Sequence, residues 1–145
     1  MRIVVQRVSQ ASVAVSEKII AKIGKGLLVF LGIASQDTEK QAEWLSKKLV
    51  NLRVFKDAVD KMNLSLKDIK GSVLVVSQFT LYGDVKKGNR PSFIKAALPK
   101  KAEKLYQIFI EKMREEKVMV KKGEFGAMMK INLINDGPVT LIMEK

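Results

Sequence analysis

The sequence predicts an α+β fold, a mostly antiparallel sheet flanked by two helices. Three observations carry this. Short apolar runs rich in Val and Ile occupy both ends of the chain. Only two stretches place apolar residues at helical spacing. The order is strands, helix, strand, basic loop, helix, strands, without repeat, low-complexity tract or long linker, so the 145 residues read as one domain.

The elements follow in order. "RIVVQRV" (2–8) and "SVAV" (12–15) read as strands. "EKIIAKIGKGLLVFLGI" has a Gly-Lys-Gly turn at 24–26 between two apolar runs, which signals a hairpin. Leu27–Ile33 is apolar at nearly every position and is expected to be buried on both faces. In "SQDTEKQAEWLSKKLVNLRVF", Ala42, Leu45, Leu49 and Leu52 form one helical stripe, with Asp37 or Thr38 as N-cap and Glu39 in the first turn. "NLSLKDIKGS" reads as loop or turn, and Gly71 opens the strongly β stretch "SVLVVSQFTLYGD". In the second helix, "LPKKAEKLYQIFIEKMREEK", Ala102, Leu105, Phe109 and Met113 share a face and Pro99 suits the first helical position. Two strands near 117–121 and 128–134 lead to "INLINDGPVTLIMEK". Pro cannot donate to a sheet ladder, so Pro138 marks either a hairpin turn over Asn135–Pro138 or a backbone feature kept for a site.

Composition excludes several chemistries. There is no Cys and no His, so disulfides, thiol nucleophiles, Cys/His zinc sites and imidazole triads are ruled out. No metal or cofactor is expected. The net charge of +12 points to an anionic partner, nucleic acid or an acidic membrane surface; solvated basic faces are the plainer alternative. No run of 18 apolar residues and no signal-like leader is seen, so a cytoplasmic protein is expected.

Three groups could carry chemistry. Ser77, Gln78 and Thr80 set polar side chains where an apolar strand leaves the core, either satisfied internally or facing a pocket. Lys86, Lys87 and Arg90 lie in the loop "GDVKKGNRPSF", suited to phosphate. Lys100 and Lys101 open the second helix, where positive charge opposes the helix dipole and an arriving anion would relieve it. Gly137 and Pro138 form the third group. Gly137 can adopt angles closed to other residues, and a Gly-Pro bond adopts cis at modest cost.

The chain resembles the D-aminoacyl-tRNA deacylases of the bacterial and eukaryotic type. The likeness runs nearly end to end through "QRVSQASV", "GLLVFLGI", "KMNLSL", "SQFTLYGD", "KGNRPSF", "FGAMMKI" and "NDGPVT". It implies a β-barrel-like sheet flanked by helices and a homodimer with active sites at the interface. It implies hydrolysis of the ester joining a D-amino acid, or glycine, to the terminal ribose of tRNA. Ser77, Gln78, Phe79 and Thr80 would form one wall. Gly137 and Pro138, followed by Val139 and Thr140, would form a cis-peptide gate whose carbonyls exclude an L side chain from the partner's pocket. Phe125 and Met129 would line the adenosine pocket, or simply pack in the core. Backbone amides near Phe79 and Thr80 would hold the oxyanion, and the 2′-hydroxyl of the terminal adenosine would help the water. A non-catalytic RNA-binding module and a general aminoacyl-ester hydrolase are the competing readings.

Overall fold

The sheet is built on one strand, β1 (Arg2–Val15). A computed structural model covers residues 1–145. One edge of β1 carries β2 (Lys18–Ile23) beside residues 11–15 and β3 (Gly26–Gly32) beside residues 2–8, both antiparallel. The other edge pairs along its length with β8 (Met129–Glu144). β6 (Ser72–Ser77) continues the sheet parallel to β3, and β7 (Met119–Lys122) follows parallel to β6.

The expected hairpin at 24–26 is therefore not there. β2 and β3 succeed each other along the same edge of β1 rather than pairing together. The hairpin turn lies earlier, at Ser16 and Glu17, with φ of 48° and 64°. Positive φ at both central residues is what a two-residue hairpin of matching twist requires. No glycine marks it, which hid it from pattern reading. The two strands expected at 2–8 and 12–15 are likewise one.

The sheet turns a corner halfway along. Ile3 and Val5 of β1 join the larger core under the helices, whereas Ala11 and Val13, in the same alternation, join a second core inside the folded-over sheet with Val8 from the opposite face. β3 and β2 switch the same way, from Leu27, Val29 and Leu31 to Ala21 and Ile23. A change of face needs an irregularity, because side chains alternate strictly along a regular strand. It falls at exposed Ser9–Gln10, at Gly24–Lys25, and on β8 in the 136–139 stretch. The corner makes the sheet barrel-like. β6 is the shared wall, with Val73 and Val75 toward one core and Leu74 and Val76 toward the other.

Both helices cover the outer face. α1 (Glu39–Val50) contributes Leu45 and Leu49, and α2 (Pro99–Glu115) contributes Leu105, Phe109, Ile110 and Met113. Thr38 is the N-cap of α1, and Gln41 Oε1 accepts from its backbone N–H at 2.9 Å. Asp37 instead accepts from the Met1 ammonium and the Ala34 amide, each at 2.6 Å. β4 (Phe55–Lys56) and β5 (Met62–Leu64) make a small hairpin where a loop was expected to begin. No helix is long and apolar enough to cross a membrane.

Candidate active site

β3, β6 and β7 run parallel, so their C-terminal ends gather at one pole, where a cleft of about 680 Å³ opens. β6 ends at Ser77. Gln78 then donates its backbone N–H to the Leu31 carbonyl at 2.8 Å, and the chain enters a 3-10 turn, Phe79–Tyr82, not the continued strand expected from "FTLY". Gly83 N–H closes the turn on the Thr80 carbonyl at 2.9 Å.

Ser77, Gln78 and Phe79 line the cleft. The half-exposed Phe79 ring stands edge-on to Phe93, centroids 5.0 Å apart. Thr80 lies exposed on the turn and does not line the cleft. Gln78 Nε2 donates to Thr80 Oγ1. That bond uses the hydroxyl oxygen as acceptor and leaves its proton free to donate.

Phe125 and Met129 line the facing wall with Gly126, Ala127 and Met128. This wall is tied down by Tyr106. The buried hydroxyl donates to the Val75 carbonyl at 2.9 Å, an oxygen that also accepts from Gly123 N–H at 2.9 Å. The Tyr106 ring lies 5.7 Å from that of Phe125. Burial pushes the Tyr106 phenol well above its usual pKa, so it stays a donor.

Gly137, Pro138, Val139 and Thr140 lie elsewhere in the chain and line no part of this cleft. Of the two readings of Pro138, the hairpin over 135–138 is absent; β8 is continuous and carries an outward excursion. Val8 pairs with Asn135 and Gln6 with Thr140, so residues 136–139 stand opposite Arg7 alone. Asn135 closes the excursion, its Nδ2 donating to the Arg7 carbonyl at 3.0 Å and the Val139 carbonyl at 3.1 Å. Gln6 Nε2 donates to Thr140 Oγ1 at 3.2 Å. The Gly137–Pro138 bond is cis, and Gly137 has φ of +122°.

Arg7 is the residue the sequence reading missed. It is 4% exposed, and its Nη1 donates to the Val54 carbonyl at 2.5 Å. A Cβ at Gly137 would run into its guanidinium. The available signal was a cation in phase with Ile3 and Val5 on the helix-facing side of β1.

Lys86, Lys87 and Arg90 are all exposed on a projecting loop pinched shut by paired bonds between Asp84 and Ser92, at 2.8 and 2.9 Å. At the start of α2, Lys100 is exposed, but Lys101 Nζ donates to the Ser35 carbonyl at 2.5 Å. The bond gives Lys101 a fold-internal role that the dipole argument overlooked. No set of three acidic side chains gathers that could hold a metal. A second cleft, of about 450 Å³, lies at the opposite pole among Leu66, Lys67, Lys70 and Glu116, where Lys67 is neutralised by Glu116.

A mostly apolar cleft with a few converging polar groups is the usual form of an enzyme site. Comparison with known proteins gives that class a family. The family model described as D-Tyr-tRNA(Tyr) deacylase matches residues 4–144. A D-aminoacyl-tRNA deacylase of Thermosipho melanesiensis is 60% identical over 99% of this chain and 97% of its own. One of Thermotoga petrophila is 55% identical over 99% of this chain and 97% of its own. A solved structure called c-Myc DNA Unwinding Element Binding Protein superposes with a TM-score of 0.94 at 44% identity, covering 100% of this chain and 99% of that one. A probable eukaryotic D-amino acid tRNA deacylase superposes with a TM-score of 0.85 at 20% identity, covering 98% and 97%, which speaks to the fold alone. The chain belongs to the D-Tyr-tRNA(Tyr) deacylase family. It is a hydrolase acting on ester bonds.

Proposed function

We propose that the protein hydrolyses the ester between a D-amino acid, or glycine, and the terminal ribose of tRNA. The observation that carries this reading is the cleft at the end of β6, where Ser77, Gln78 and Phe79 meet Phe125 and Met129 in a member of this family.

The chemistry runs without an imidazole. Water attacks the ester carbonyl, the tetrahedral oxyanion collapses, and the ribose oxygen leaves. The first amides of a helical turn have no partner within it, so those of Phe79 and Thr80 are suited to hold the oxyanion, at about 3 kcal/mol per donor. Positioning of an already activated ester adds more. Thr80 serves as an orienting donor rather than a nucleophile: its oxygen accepts from an amide, and an amide cannot take its proton. The 2′-hydroxyl of the terminal adenosine, with Phe125 and Met129 against its base, helps orient the water. Lys86, Lys87 and Arg90 contact the phosphates, with Lys100 nearby.

Stereochemical choice falls to main-chain oxygens of Gly137 and Pro138, which reject an L side chain and pass glycine. They act on the partner's cleft in a homodimer. This assignment is supported by the position of the 136–139 excursion, held rigidly by Arg7 and Asn135 yet outside its own chain's cleft.

A second reading, a nucleic-acid-binding module without turnover, is favoured by the name of the 44% identical structure. Release of amino acid from D-Tyr-tRNA, L-Tyr-tRNA and Gly-tRNA separates them. The proposal requires turnover of the first and third and little of the second. Equal D and L rates remove the gate, and no turnover at all leaves the binding module.

A further inference from the structure

We propose that Arg2 is a positioning residue for this reaction, holding the Phe79–Tyr82 turn against the end of β8. The inference rests on the deacylase reading above. Arg2 opens β1 and pairs with Gly32 of β3 and Glu144 of β8. Its Nη1 donates to the Leu81 carbonyl at 2.8 Å. Its Nε and Nη2 face the Glu144 carboxylate at 3.2 and 3.0 Å. The guanidinium carbon sits 5.1 Å from the centroid of the Tyr82 ring.

One planar group thus touches two consecutive residues of the turn and the terminal part of β8. No other side chain hydrogen-bonds the backbone of Gln78–Gly83. Leu81 in turn donates its N–H to the Gln78 carbonyl at 3.2 Å. A shift of Leu81 therefore carries Gln78 with it, and Thr80 through the Gln78 side chain. Arg2 lines no part of the cleft, so it acts through the turn and not on substrate. The fork matters as well as the charge: a lysine ammonium has no planar edge to hold a carboxylate and a carbonyl together while lying over an aromatic ring.

Within one protomer the same ion pair ties the turn beside the cleft to the strand that carries the 136–139 excursion. Glu144 ends the strand that bears Gly137 and Thr140, and Leu81 belongs to the turn that bears Phe79 and Thr80. Arg2 sets the height of one against the other.

The test measures steady-state deacylation of D-Tyr-tRNA by wild type, Arg2→Ala, Arg2→Lys and Glu144→Gln, with melting temperatures and amide exchange at Leu81 and Gly83. Arg2→Ala is expected to lose about ten- to a hundredfold in kcat, the scale of a small misplacement of reacting groups. KM should stay within about twofold, because the groups that touch substrate are unchanged. Arg2→Lys should recover little, and Glu144→Gln should lose less than Arg2→Ala. Arg2 is partly open to solvent, so added ethylguanidinium should restore part of the Arg2→Ala kcat. Faster exchange at Leu81 and Gly83 should accompany the loss.

An unchanged kcat in Arg2→Ala overturns the inference. So does a loss in folded Arg2→Ala that ethylguanidinium leaves untouched. If Arg2→Ala does not fold, Glu144→Gln, which keeps the guanidinium, decides: an unchanged kcat with unchanged exchange at Leu81 overturns the inference. Wild type inert toward D-Tyr-tRNA defeats the deacylase reading and this inference together, whereas an active wild type with indifferent variants defeats only the inference.

Discussion

Arg7 Nε donates to the backbone carbonyl of Asp136 at 3.0 Å, across the sheet from the strand that carries it. Its other arm holds the Val54 carbonyl, so a buried cation fastens the β8 excursion to the loop after α1. Replacing Arg7 with Met removes two charge-assisted bonds and leaves both carbonyls short of a donor. We expect a loss of about 2–4 kcal/mol, from the usual worth of hydrogen bonds to charged groups. Urea unfolding of the variant measures it, and an unchanged midpoint means that Arg7 holds nothing. Preference for D over L substrate should fall as well.

Gly137 tests the same contact from the other side. Its φ of +122° is closed to ordinary L residues, and a Cβ would meet the Arg7 guanidinium. Gly137→Ala should cost about 1–3 kcal/mol. Combined with Arg7→Ala, the cost should be less than the sum of the two, because the steric conflict is gone. Strict additivity in a double-mutant cycle rejects the coupling.

Thr80 is expected to orient rather than attack. Thr80→Ser should keep most activity, and Thr80→Val should lose about a hundredfold in kcat, the scale of a small misplacement of reacting groups. No acyl-enzyme should appear in mass spectra of quenched reactions. A trapped adduct on Thr80 gives it the nucleophile's role instead.

Lys86→Ala with Lys87→Ala should weaken tRNA binding and flatten its salt dependence. For every phosphate these lysines neutralise, the double variant should show a slope of log K against log salt shallower by about 0.7–0.9. An unaltered slope shows that these lysines meet no phosphate.

Tyr82 supplies a pH signature. Burial first, and then the charges of Asp37 and Glu144, push its pKa up to about 12. A raised phenol pKa favours the folded state below the ordinary value near 10, and this contribution fades as pH rises through the folded value. Stability should therefore fall between pH 10 and 12, and less steeply in Tyr82→Phe than in wild type. Denaturant melts at pH 9, 10 and 11 measure the difference; parallel slopes leave Tyr82 without this effect.

Much of the fold was legible because its signals are local. The stripes on α1 and α2, Pro99 at a helix start, the doubly buried β3 and the apolar run of β6 all follow from side chains within one segment. The pairing was less legible. Gly24–Gly26 carries stronger turn chemistry than Ser16–Glu17, yet the chain turns at the latter, because β1 offers one long edge on which β2 and β3 can both lie. The 3-10 turn at Phe79–Tyr82 was hidden by β-favouring residues, and tertiary context decided against them.

The site was half legible. Ser77, Gln78 and Thr80 stood out as polar positions after an apolar strand; the first two reach the cleft and Thr80 does not, whereas Phe79, Phe125 and Met129, which also line it, were pointed to by the family resemblance. Its supporting residues did not stand out. Arg2 donates to the Leu81 carbonyl 79 residues away, Arg7 to that of Asp136 129 away, and Asn135 to that of Arg7 128 away, and nothing in a one-dimensional pattern announces a main-chain acceptor so distant.

The β8 excursion separates two demands on the chain. Gln6–Thr140 and Val8–Asn135 clamp the ladder on either side of it, so a change confined to the residues between those clamps would not slip the strand. The shape of the stretch is another matter: Arg7 grips the Asp136 carbonyl, Asn135 grips the Val139 carbonyl, and Gly137 has no room for a Cβ, so register is insured by the neighbours while contour depends on these few residues alone.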